Sequence, residues 1–239
     1  MARFEMPWLL LNGISSDSID GLIITSLPPI RKPAMRYESE EVDGVDGDTI
    51  TRLGYEAYDK TVGIGLHGGF EIDKVIEFFD SSGRVVFSNE PDKYYDYQVL
   101  GAIDFERLVR FRTAEVKMHV QPYKHSALER AKTWQFDAPS QSVKVVNSGN
   151  TFSTPTATVY GSGNVSMYLN GMHVLEIFMP SSGRLVIDVD GQNAYDGNSF
   201  ANRLVTGDYS ELKLKPGSNT LSWSGNVTSM TVDGYSRWI

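Results

Sequence analysis

The sequence predicts a mainly β protein in two parts: an N-terminal β-rich domain with one packing α-helix, then an antiparallel β-sandwich. Three observations predict it. Apolar and polar residues alternate with period two in many short runs. Gly, Asn, Asp, Pro and Ser interrupt those runs at frequent turns. Only one segment carries a clear helical stripe.

The first part opens with the apolar run Trp8-Leu9-Leu10-Leu11, a core strand or an exposed interface. An acidic run follows, with Glu38, Glu40, Glu41, Asp43, Asp46 and Asp48 around a DGVDGD turn. TVGIGL, residues 61–66, then alternates and reads as the closing half of a long hairpin begun before that turn. After an HGG bend comes the helix. Ile72, Val75, Ile76 and Phe79 fall on one face, Glu71 and Asp73 suit the positive N-terminal end, and Gly83 is placed to cap the other. Tyr95, Tyr97 and Val99 alternate, as do Ala114, Val116, Met118 and Val120. SALERAKT, residues 126–133, is a weak, polar helical stretch that reads as a linker.

Composition changes there. Residues 1–133 hold 16 basic and 22 acidic side chains, and residues 134–239 only 6 and 8. We therefore expect domains at 1–133 and 134–239, joined by a linker near 124–133. In the second, short strands are expected at 143–146, 157–160, 165–169, 173–178, 185–189, 211–214, 220–223 and 229–232, separated by turns such as LNGM, PSSG and KPGSN.

The net charge of −8 argues against a dedicated nucleic-acid binder. With no cysteine, the chain has no disulfide, no thiolate metal site and no cysteine nucleophile. The apolar run at 8–11 is too short for a signal peptide, and no run is long enough to span a bilayer, so synthesis in a cytoplasm without membrane insertion is expected.

Gly63, Gly65 and Gly68 spell G-x-G-x-x-G ahead of the helix, and Glu90 lies about where a dinucleotide fold places its ribose acid. The preceding EAYDKTV is mostly polar, however, and no second βα unit follows, so the glycines read as strand and turn positions and no cofactor is expected. Residues 188–199 begin like a calcium loop but lack its glycine and final glutamate. A hairpin turn is the first reading, weak calcium binding the second. His67, His119, His125 and His173 have no metal-ligand spacing, and there is no G-x-S-x-G, so nothing nominates an enzyme. Tyr195, Tyr209 and Trp223 could stack on sugars, although core packing ranks higher. The acidic run could be a solvated loop, or could face a channel through which DNA slides, because like charge repels phosphate.

Beyond these local readings, the order LLNGISSDSIDGLIITSLPPI, EEVDGVDGD, KTVGIGL, helix, then FSNEPDKYYDYQV, resembles the distal tail protein of siphophages. The second half, NSGNTFSTPTATVYGSGNVSMYLNG, RLVIDVDGQNAY and GDYSELKLKPGSNTLSWSGNV, is similar to that family's galectin-like or carbohydrate-module-like sandwich. The resemblance implies a non-enzymatic virion protein. Its N-terminal, tail-tube-like domain would form a hexameric hub ring at the distal end of a non-contractile tail, with a central channel for DNA and the tape-measure protein. Implied partners are other copies of the chain, the major tail tube protein, a tail-associated hub or fibre protein, and possible receptor-binding proteins. Trp8, Leu10 and the acidic residues 38–48 are the expected interface or channel residues. The alternative is a carbohydrate-binding module recognising host cell-wall glycans through Tyr195, Tyr209 and Trp223.

Overall fold

The computed structural model describes residues 6–44, 46–136 and 141–239. Val45, inside the acidic turn, and residues 1–5 and 137–140 of the two expected domains lie outside the described residues. The chain divides into two compact units with the break after Ala127.

The first unit is an antiparallel sheet with two short helices. In chain order its elements are β1 (Leu9–Leu11), β2 (Ile14–Ser15), β3 (Leu22–Ser26), β4 (Met35–Glu41), β5 (Asp48–Tyr55), β6 (Tyr58–Leu66), α1 (Ile72–Phe79), β7 (Ser82–Phe87), β8 (Lys93–Gln98), α2 (Phe105–Phe111) and β9 (Thr113–Ser126). The sheet runs β2-β1-β7-β8-β9-β6-β3, while among the described residues β4 and β5 pair only with each other. Along β9, Ala114, Val116, Met118 and Val120 point inward, and Glu115, Lys117 and Gln121 outward, as the alternation predicts. Val75, Phe78 and Phe79 of α1 are buried in the same core as Leu9, Leu11, Ile64 and Phe87.

Four expectations are corrected here. TVGIGL does not close the acidic hairpin. It lies in β6 and pairs with β3 and β9, so the β4–β5 hairpin is an excursion between two neighbouring strands. Gly83 is not the helix cap: α1 ends at Asp80, and Gly83 sits in β7 with its Cα facing Asn12. A second helix, α2, exists. The stretch 126–133 contains no helix and runs directly into a strand at Lys132.

The second unit contains β10 (Lys132–Gln135), β11 (Ser142–Asn147), β12 (Thr156–Leu169), β13 (Met172–Phe178), β14 (Arg184–Asp188), β15 (Asn193–Asp196), β16 (Ser199–Phe200), β17 (Val205–Gly207) and β18 (Gly217–Asp233). Two pairs of expected strands prove to be single long ones, β12 and β18, each interrupted where the register shifts. The first half of β12 pairs with β14 and the end of β18; its second half pairs with β13 and the start of β18. The two halves share one core, containing Ala157 and Val159 from one and Val165 and Met167 from the other. Gly225, at φ +96, permits the bend: a Cβ there would strike the Asn164 carbonyl oxygen. Residues 211–214 are not a strand. A 3-10 turn covers Tyr209–Glu211, and Leu214 makes an isolated bridge to Ser153.

Candidate functional site

The feature of the first unit that its own core does not explain is the β4–β5 hairpin. Every residue from Arg36 to Glu41 and from Asp48 to Arg52 is exposed. Glu38, Glu40, Glu41, Asp43, Asp46 and Asp48 are all on it, so the structure brings the acidic candidates together on one ribbon. Tyr37, Val42, Ile50 and Leu53 on the same ribbon are 59%, 52%, 56% and 47% exposed. A two-stranded ribbon on its own is marginal in water, so the order of this one rests on its anchored base.

The base is held firmly. Asn89 Nδ2 donates to the Pro28 carbonyl at 3.0 Å, Lys60 Nζ to that of Pro29 at 3.2 Å, and the Glu56 amide to that of Ala34 at 2.9 Å. The sequence supplies prolines at 28, 29 and 33, which stiffen this strap.

Behind the strap lies a buried charge cluster. Glu90 Oε1 accepts from Lys124 Nζ at 2.9 Å, and its Oε2 accepts from the Tyr95 hydroxyl at 2.8 Å. Lys60, 3% exposed, stands 4.6 Å from the Tyr95 ring centroid and 5.3 Å from that of Phe87. Burial lowers the Lys60 pKa to about 8, against the pull of Glu90 and with the help of Lys124 and Arg31. Burial, then the Glu90 hydrogen bond, raises that of Tyr95. Sequence reasoning considered Glu90 only as a ribose acid; its position instead makes it the counter-ion of a buried lysine. No spacing rule signals this cluster, because its members come from β6, β8, β9 and the β7–β8 turn.

Helix α2 was also missed. Its N-cap Asp104 accepts from the Arg107 amide at 2.7 Å, and Arg112 closes it with φ 62. Only Leu108 is fully buried, which leaves too narrow a stripe for periodicity to find. An Asp N-cap, Glu106 in the first turn and Arg110 in the last were the available signal. Outward, the helix shows Arg107, Arg110, Val109 (42% exposed) and Phe111 (64%).

Trp8 and Leu10 are half-buried, alternating with the core residues Leu9 and Leu11. Among the aromatic candidates, Trp223 is 3% exposed and packs on Phe136 at 4.7 Å between centroids, leaving no face for a sugar. Tyr209 packs against the same core. Tyr195 is half-buried beside Phe200, their centroids 5.2 Å apart. The structure does not bring the three onto one platform.

Gly63 and Gly65 lie on β6, where a Cβ would run into Ser26 and Thr25, or Ile23 and Thr25, of β3. They serve close strand approach rather than a phosphate. Residues 189–192 form the β14–β15 turn. Asp188, Asp190 and Asp196 are turned to different partners: the Gly191 amide, Thr154 and Ser182. Among the described residues there is no group of three or more His, Cys, Asp or Glu placed to hold a metal, and no helix is long and apolar enough to cross a membrane.

No protein-family model matches the sequence, and no curated protein does. Solved structures do match. One is the SPP1 Dit protein, described as a paradigm of hub adsorption apparatus in Gram-positive infecting phages. It has a TM-score of 0.63 at 16% identity, over 98% of this chain and 100% of that one. Another is a chain of the phage P2 baseplate in its activated conformation with Ca. Its TM-score is 0.54 at 8% identity, over 98% of this chain and 99% of that one. At these identities the likeness is one of fold, and it runs through both units.

Proposed function

We propose that this chain is a structural, non-enzymatic subunit of a siphophage tail tip. In this reading its first unit builds a hexameric hub ring at the distal end of the tail tube. The observation that carries the proposal is the end-to-end match to a phage hub protein, 98% of this chain against 100% of that one. A chance likeness of one β-sandwich would cover only half of each chain.

The physical properties of the first unit support the same reading. A ring-forming subunit must present apolar and polar surface that its own core leaves uncovered. Here the hairpin and the outward side of α2 do so, and Trp8 and Leu10 extend the set. The acidic run from Glu38 to Asp48 belongs at the channel or at a subunit contact. At the channel it would let DNA and the tape-measure protein pass without adhering. The tube protein would meet one ring face and a hub or fibre protein the other, with receptor-binding proteins as possible outer partners, all within the virion.

Native mass spectrometry and negative-stain microscopy of the full chain test this. Closed rings with a central hole are expected, alone or after adding the tube protein. A strict monomer at high concentration that also fails to bind tube and tip proteins would overturn it.

A further inference from the structure

Two surfaces of the first unit are left uncovered by the chain itself, and they complement each other. The first is one face of the hairpin. Strand register places Tyr37, Ser39 and Glu41 of β4 directly opposite Arg52, Ile50 and Asp48 of β5, so these six share a face. That face holds the exposed rings and methyls of Tyr37 and Ile50 near its middle and a carboxylate pair, Glu41 against Asp48, at its tip. Like charges directly opposite are unfavourable in a ribbon, and the Ser39 hydroxyl, which donates to Asp48, brings no positive charge to relieve them.

The second surface is the outward side of α2. Leu108 points into the core, so Arg107 and Arg110, about a quarter-turn to a half-turn away on a helix, point out. Val109 and Phe111 flank them, exposed. Guanidinium groups beside apolar side chains are the chemical counterpart of a carboxylate pair beside an aromatic and an isoleucine.

Resting on the ring reading above, we infer that the hairpin of one copy lies across α2 of the next copy. Tyr37 and Ile50 cover Val109 and Phe111, while Arg107 and Arg110 neutralise Glu41 and Asp48. Because the two patches are different regions of one chain, the contact is head-to-tail. Contacts of that kind generate closed rings when the rotation between copies permits. It also accounts for a ribbon that has no core of its own: the core it needs is supplied by its neighbour.

The chain has no cysteine, so introduced thiols report without background. Full-length Ile50→Cys and Val109→Cys variants, both at exposed positions, are mixed in equal amounts and mildly oxidised. A disulfide-linked dimer containing one of each is expected, and the double variant should give a ladder of covalent oligomers. Arg107→Glu with Arg110→Glu should lower the assembled fraction at least tenfold, and adding Glu41→Lys with Asp48→Lys in the same chain should restore it. Rings that form without linkage between positions 50 and 109 would overturn this contact and leave the ring reading standing. So would an Ile50→Cys variant that links only to itself or to the tube protein. A chain that stays monomeric and unlinked at every concentration, with the tube protein added as well, and that fails to bind tube and tip proteins would overturn both.

Discussion

Raising the pH from 7.5 to 10 should make the first unit more stable, and Lys60 is the reason. Its ammonium is buried among the rings of Tyr58, Tyr95 and Phe87, with Glu90, Lys124 and Arg31 as the charges around it. Burial holds its pKa at about 8, against an ordinary value of 10.5. In that interval the unfolded chain binds a proton that the folded chain has released, so folding becomes more favourable as pH rises. At ~1.36 kcal/mol per pH unit, the part of the interval below pH 10 is worth about 2–3 kcal/mol. Above pH 10 the sign reverses. Burial raises the pKa of Tyr58, Tyr95 and Tyr97 in the folded state, so the unfolded chain then loses protons that the folded one keeps. The four tryptophans allow the units to be followed separately after labelling with 5-fluorotryptophan. Trp8 reports the first unit and Trp134 and Trp223 the second. Urea titrations at several pH values, read by fluorine resonance, should show the rise at Trp8 and none at Trp134 or Trp223. Lys60→Met, which fills the same space without a proton to lose, should abolish it. A flat Trp8 profile, or a rise that survives in Lys60→Met, would refute the reasoning.

Three further outcomes are expected. Glu90→Gln keeps an acceptor for Tyr95 but strips the counter-ion from Lys124, whose side chain is 7% exposed. It should cost the first unit about 3–5 kcal/mol in urea unfolding at pH 7, and a loss below about 1 kcal/mol would mean that water reaches the ammonium. Gly63→Ala forces a methyl onto Ser26 and Thr25 of the neighbouring strand, destabilising the same unit by about 1–3 kcal/mol; calorimetric titration of the unaltered protein with NAD should show no heat of binding. Trp223→Ala should lower the stability of the second unit by about 3–5 kcal/mol. Its failure to change the urea midpoint, together with loss of glycan binding on an array, would return Trp223 to the role of a sugar platform.

What the sequence disclosed follows from where its signals are local. Alternation along β9 is visible because one face of that strand is buried and the other is wet. The stripe of α1 is visible because Val75 and Phe79 stand one turn apart on a buried face. The glycines at 63 and 65 were legible as strand positions once the absence of a second βα unit was weighed. The buried Lys60–Glu90–Lys124 cluster was not legible, since its charges come from separated strands and each alone looks like a surface residue. The long strands β12 and β18 were each read as two, because the glycines and polar residues that bend them have the chemistry of turns.

The acidic hairpin was the hardest segment to read, and its illegibility is informative. A strand is recognised by the contrast between a buried and a solvated face. Within this chain β4 and β5 have no buried face, so residues 36–52 show the charge of a loop while adopting a paired ribbon. Yet Tyr37 and Ile50 fall on one face of that ribbon, and Glu38 and Glu40 with Thr49 and Thr51 on the other. Across the paired residues 37–41 and 48–52, that is an apolar-and-charged face set against a polar one, the pattern of a strand pair with one side to be covered. With α2 of a neighbouring copy as the cover inferred above, the two faces of the ribbon carry the same buried-and-solvated contrast by which β9 is read.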